Sequence, residues 1–190
     1  MSEAVDRETR DPATGLYPTP VTLVTCVDDL GRPNIITLAW AGVVCSEPPQ
    51  IGIAVRPSRH SYHILRRSGQ FVVNIPSQEV LHATDVCGTV SGRDHDKFAL
   101  TGLTPLPATK VSAPLIAQCP INLECVLRHQ LALGSHDLFI GEVVAYHIRH
   151  DIIGEHGRPD FGKARPFAYN HGEYWGLGEF LGRNGLSRPQ

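Results

Sequence analysis

The run CGTVSGRDHDKF, residues 87–98, sets a thiol, a serine, two glycines and a cluster of charged and imidazole side chains between two largely apolar regions. Such a tract can be a solvated turn, a metal site or one wall of an anion pocket. Upstream, Arg56, Arg59, Arg66 and Arg67 lie on and around RPSRHSYHILRRSG, which also carries Ser58, His60 and Ser61. The first N–H groups of a helix have no partners within it, and serine and arginine at that mouth make a ready phosphate site. The competing reading is a basic helix face turned to water. Ser91, Gly92 and Lys97 form a second group able to close over the same anion, although by itself that tract reads as a turn.

Other chemistries find less support. There is no G-x-S-x-G, and spacing alone singles out no Cys-His pair, so a hydrolase triad is disfavoured. The five cysteines contain no C-x-x-C, and Cys26, Cys45 and Cys125 lie in apolar stretches, where a thiol is usually inert. Among ten histidines, His60 and His63 are neighbours if their segment is helical. His147 and His150 would face opposite ways in a strand. The acids and imidazole of RDHDKF suit a solvated turn, with a bound metal as the sharper alternative. No G-x-G-x-x-G follows a strand, so the familiar dinucleotide fingerprint is missing.

The elements that must position these groups are mostly strands. Val21–Val27 is rich in β-branched residues, DDLGRP is a turn, and Asn34–Trp40 resumes an extended run. SEPPQ breaks the chain before IGIAVR (51–56). The serine- and arginine-rich segment then reads as a short helix ended by Gly69. QFVVNIP (70–76) is a strand, and SQEVLHATDVCG a second short helix with Ser77 as N-cap. In INLECVLRHQLAL, Ile121, Leu123, Cys125 and Leu127 point one way and Asn122, Glu124 and Arg128 the other. GSHD turns into LFIGEVVAYHI (138–148), apolar on both faces and therefore central. Beyond His150 the tail lacks periodicity, yet its Phe, Tyr and Trp residues imply that it packs on something. Short strands without regularly alternating long helices favour a small antiparallel barrel over a doubly wound sheet.

Length suits a single domain with a sizeable core, and a net charge of −2 offers no basic field for nucleic acid. No apolar run approaches a membrane span, and the polar N-terminus has no signal-peptide core, so a cytoplasmic location is expected. Residues 1–16 read as an arm, 17–150 as the barrel domain and 151–190 as an extension packing on the barrel or on a dimer partner.

Four segments in order, NIITLAWAGVVCSEPPQIGIAV (34–55), RHSYHILRRSGQFVVNIP (59–76), CGTVSGRDHDKF (87–98) and SHDLFIGEVVAYHI (135–148), resemble the flavin reductase-like, FMN-binding split-barrel proteins. Within them, the resemblance is to the flavoredoxin and ferric reductase branch, and the tail PFAYNHGEYWGLGEF also looks like the closing segment of that branch. The resemblance implies a mainly β Greek-key split barrel with short helices, forming a homodimer that holds FMN near the interface. Thr37, Leu38, Ala39 and Trp40 would lie beside the flavin, and Cys45 and Ser46 would begin the next wall. Arg56, Arg59, His60 and Ser61 would take the phosphate and ribityl region. Asn74 would stand beside the same pocket, with Lys97 and Ser91 as phosphate contacts. Arg93, Asp94, His95 and Asp96 are left as turn and cap residues. His136 and Phe139 would approach the cofactor from the partner subunit, and Glu142 would pair within the barrel.

In function, the resemblance implies an FMN-dependent oxidoreductase that takes hydride from NAD(P)H and passes electrons to flavin, a ferric chelate or a partner protein. In such an enzyme the cofactor carries the redox chemistry and no side chain must act as acid or base. The rival readings are an electron carrier of flavoredoxin type without nicotinamide activity, and a metal-binding or cofactor-free interaction protein on the same barrel.

Overall fold

The computed structural model describes residues 6–187, so the first five residues of the expected arm and the last three of the extension lie outside the described residues. The chain enters through β1 (Thr19–Pro20), β2 (Thr22–Val27) and β3 (Pro33–Leu38). Next come β4 (Ala41–Ser46) and β5 (Pro49–Val55), then α1 (His60–Ser68) and β6 (Gln70–Ile75). A 3-10 turn at Gln78–Val80 leads into α2 (Leu81–Thr89), followed by α3 (Lys97–Thr101). The short pair β7 (Pro105–Leu106) and β8 (Leu115–Ile116) precedes two long strands, β9 (Ile121–Ala132) and β10 (Asp137–Ile148). The tail adds α4 (Phe161–Ala164), β11 (Phe167–Asn170) and β12 (Glu173–Gly176).

Seven strands form one antiparallel sheet in the order β3-β2-β6-β9-β10-β5-β4. Neighbours distant in sequence make this a Greek-key arrangement and not a meander. The sheet curls until β5 meets the end of β3, where Ala54 N–H donates to Trp40 O at 2.8 Å. This is the mainly β split barrel.

Period-two patterning explains the burial. On β2 and β3, Val24, Cys26, Ile36 and Leu38 face the barrel interior with Ile53, Leu65, Phe71 and Phe139. Leu23 and Ile35 face the other way, onto Cys87 and Phe98 beneath α2 and α3. Both faces are buried, so these strands read as continuous apolar runs. Helix α1 seals the barrel with Tyr62, Ile64 and Leu65. Its expected terminator Gly69 sits at φ 62° and donates its N–H to Leu65 O, a left-handed cap that glycine adopts without strain.

Four details depart from the sequence reading. The segment before SEPPQ is an edge strand, β4, with Val43 78% exposed. Ser77 precedes the second helix but caps nothing, and its buried Oγ has no partner among the described residues. Asn122 and Glu124 are polar yet buried, because residues 108–116 lie over that face of β9. Glu124 accepts Thr109 N–H and Oγ1–H, Lys110 N–H and Val111 N–H, and His147 Nε2 lies 2.6 Å from its Oε1. Finally, the aperiodic tail does form strands: β11 pairs with β1 and β12 in a separate three-stranded sheet.

Candidate functional site

A cavity of about 410 Å³ opens where the end of β3, the start of α1 and the C-terminal end of α2 converge. Its first wall is Thr37–Trp40. Thr37 is anchored by donating Oγ1–H to Thr84 O on α2, at 2.6 Å. Leu38 is largely committed to the core, and Trp40 turns outward against Tyr17 and Tyr169, each with ring centroids 6.1 Å away.

The second wall is the turn Arg56–Arg59 and the first turn of α1. Arg59 occupies the N-cap position, yet no side chain caps the helix, and no acid stands in the first turn. N–H groups of Arg59 and Tyr62 are spent on Arg56 O and Arg59 O. The Ser61 hydroxyl is 2.7 Å from Asn34 Nδ2 and accepts its proton, which fixes Ser61 at the cavity floor. An uncapped helix start flanked by Arg56 and Arg59 is suited to an anion.

The third wall runs from Cys87 through Gly92. Glycine is required by close approach at Gly92, where a Cβ would collide with Asn34 Oδ1. Ser91 shapes the following turn: its Oγ accepts Arg93 N–H and its carbonyl accepts Asp94 N–H and His95 N–H. Asp96 caps α3 by accepting from Phe98 and Ala99 N–H. The RDHDKF tract is thus turn and cap, with Lys97 inside the wall.

The lining carries Arg56, Arg59, Lys97, His60 and His136, and no carboxylate among the described residues. Burial, then the charges of Arg93 and Lys97, hold the His60 imidazole below its usual pKa. Burial, then Arg56 and Arg59, do the same to His136. Burial likewise lowers Lys97 and raises the Cys87 thiol to about 11. The field inside the cavity therefore favours an anion from several directions.

The structure brings together Thr37, Leu38, Ala39, Trp40, Arg56, Arg59, His60, Ser61, Ser91 and Lys97. It does not bring Cys45, Ser46 or Asn74 to the cavity. Cys45 and Ser46 lie at the far end of the β4 edge, paired with Gln50 and Pro49. Asn74 is fully buried in the sheet, donating to Leu23 O and accepting Ile116 N–H and Asn122 Nδ2–H, because a buried carboxamide must satisfy both ends. His136 lines the cavity of its own chain, whereas Phe139 packs wholly in the core at 5.5 Å from the Tyr62 ring. Glu142 pairs with Arg128 at 2.8 Å. Sequence reasoning missed Asn34, Gly88, Thr89, Val90 and Tyr169 as lining residues. Gly88 and Gly92 bracketing a helix end was the available signal for the third wall; nothing local marked Tyr169.

Among the described residues, no group of three or more His, Cys, Asp or Glu is placed to hold a metal, and no helix is long and apolar enough to cross a membrane. The fold and the site together define a split barrel with a cation-lined, anion-favouring cleft at the mouth of its first helix. The family model described as "Flavin reductase like domain" matches residues 14–178, and the chain belongs to that family. Its structure is similar to the flavoredoxin of Desulfovibrio vulgaris (Miyazaki F), with TM-score 0.89 and 35% identity over 96% of this chain and 99% of that one. An uncharacterized protein of Archaeoglobus fulgidus is 33% identical over 145 residues, 76% of this chain and 80% of its own length. The flavin reductase (NADPH) of Lentzea aerocolonigenes is 27% identical, covering 80% of this chain and 84% of its own.

Proposed function

We propose that the protein is an FMN-dependent oxidoreductase that takes electrons from NADH or NADPH and delivers them to free flavin, a ferric chelate or a partner protein. The observation that carries the reading is the acid-free cleft, in which an uncapped helix start, Arg56 and Arg59 meet the strand end and bend at Thr37–Trp40. The donors fit FMN: one cationic pole for a phosphate, and a wall of backbone and small side chains for a planar ring. The bound flavin supplies two-electron redox chemistry, accepting from a reduced nicotinamide and passing electrons onward.

The chain's own residues bind and orient. Arg59, with Arg56 and the free N–H groups of Ser58, His60 and Ser61, holds the phosphate. The backbone of Leu38 and Ala39 meets the polar ring edge. Trp40 and Tyr169 shield the cleft mouth from water. No acid or base is assigned, since proton transfer is not required of a side chain. We take residues 17–150 as the cofactor domain and 151–190 as an extension that completes the cleft through Tyr169. The protein acts as a homodimer, a reading supported by the exposed apolar edge at Val43 and Val44.

A second reading, an electron carrier fed by another protein, is favoured by the likeness to flavoredoxin. An anaerobic absorption spectrum of the FMN-reconstituted protein, before and after NADH and then NADPH, separates the two. Bleaching at a catalytic rate by either nucleotide supports the reductase and names its donor. Reduction by dithionite alone favours the carrier, and failure to retain FMN removes both.

A further inference from the structure

Lys97 is 5% exposed, and its ammonium carries a charge into the protein beside the cleft. Among the described residues, no ion pair includes it. Instead Nζ donates to Ile35 O at 2.8 Å and to Cys87 O at 2.6 Å. The two acceptors belong to different elements, β3 and the last turns of α2, on either side of one seam. Two of the three ammonium protons are therefore spent on the scaffold. Burying a cation against neutral carbonyls is costly, so the arrangement must secure something that an apolar side chain would not.

That seam is where the cleft takes its shape. Thr37 Oγ1 ties β3 to Thr84 O a turn earlier on α2, and at Gly88 a Cβ would press to 3.2 Å from Thr37 Cβ. Beyond Gly88, Val90 N–H bonds Val86 O and the chain leaves the helix. Lys97 reaches back from α3 and holds both the departing wall and the strand facing it. Asp96, which accepts Phe98 and Ala99 N–H, fixes where α3 begins and so where Lys97 stands. We propose that Lys97 is a positioning residue: it holds the Cys87–Gly92 wall against β3 and thereby sets the width of the whole cleft, in place of the phosphate contact expected from the sequence.

The inference rests on the flavin reading of the cleft, and two ligands separate the roles. FMN and riboflavin share the ring and ribityl chain, and only FMN carries the phosphate. Fluorescence titration of the full-length wild type, Lys97→Met and Arg59→Ala with each flavin is the experiment, with hydrogen exchange on the flavin-free proteins. Lys97→Met should weaken FMN and riboflavin by the same factor, about tenfold, as expected for loss of one charge-assisted tie. Arg59→Ala should weaken FMN alone. Amides of residues 87–92 should exchange faster in Lys97→Met while those of β9 and β10 keep their protection. Lys97→Gln, which keeps a donor without the charge, reads the same way if the methionine variant does not fold. A loss confined to FMN makes Lys97 a phosphate contact and overturns the proposal. So does a lowered Tm with both affinities unchanged, which is a structural role only. If the wild type binds neither flavin, the flavin reading fails, while unaltered exchange at 87–92 overturns the positioning role whatever the ligand.

Discussion

At the scale of single residues, Arg59 is proposed to serve the ligand and Lys97 the scaffold of the cleft. Arg59 stands at the mouth of an uncapped helix, so Arg59→Ala should weaken FMN binding by about 10- to 100-fold, the equivalent of one or two charge-assisted hydrogen bonds, with little change in Tm. Equilibrium titration against thermal melting checks this. His60 and His136 both sit below the usual histidine pKa in the free protein. The folded state therefore binds fewer protons than the unfolded chain once the pH falls below about 6.5, and stability declines on acidification through that window. A phosphate dianion placed beside these imidazoles acts in the opposite sense and favours their protonation. FMN binding at a pH of about 6 should then take up protons, seen as a binding enthalpy that depends on the ionisation heat of the buffer, and His60→Asn with His136→Asn should reduce that uptake.

At the scale of elements, two buried features carry the fold that holds the cleft. Glu124 on β9 pins the loop at 109–111 through three backbone N–H groups. Burial pushes its carboxyl up, but the hydrogen bonds from Thr109, His147 and Lys110 outweigh this and lower its pKa to about 2. Its contribution to stability is complete above the unfolded value of about 4.5 and lost as the pH falls through the folded one. Glu124→Ala should destabilise the protein on the order of 3 kcal/mol, by stranding those donors, and should flatten the acid limb of the stability curve between those values. Opposite Ile140 and Gly141 of β10 the register shifts by one residue, Arg128 of β9, and a Cβ at Gly141 would collide with the buried Phe71 ring. Gly141→Ala should cost about 1–3 kcal/mol, measured by urea unfolding, because Phe71 has no open space to enter.

At the scale of the whole molecule, the strands of the sheet were legible from β-branched runs and turns, and α1 from its arginine, serine and terminal glycine. The edge strand β4 was hidden, because exposed Val43 and Val44 carry no inward-outward alternation. Asn74 was misplaced for a related reason: a polar residue at a strand end looks like a site, but here it satisfies the backbone between β2 and β8. Within the cleft, Arg56, Arg59 and His60 were marked by charge clustered at a helix start. Tyr169 was not, since its place depends on pairing between β1 and β11 across most of the chain. For the assembled molecule, the proposed dimer predicts that wild type sediments as a dimer. Val43→Asp combined with Val44→Lys should shift it toward monomer without altering the far-ultraviolet spectrum, and an unchanged sedimentation coefficient would remove β4 from the interface.

The tie between tail and barrel also bears on how the protein is made. Tyr174 bonds Asp85 on α2, Gln78 bonds Arg165, and Tyr169 closes against Trp40. The seven-stranded sheet and the three walls of the cleft are complete once β10 has left the ribosome at Ile148, yet Tyr169 of the lining is synthesised later. A nascent chain at that stage holds a folded barrel with an open mouth. On the proposed flavin reading, a translational pause between β10 and β11 should leave a species that is folded but binds FMN more weakly than the finished chain, as flavin fluorescence titration would show.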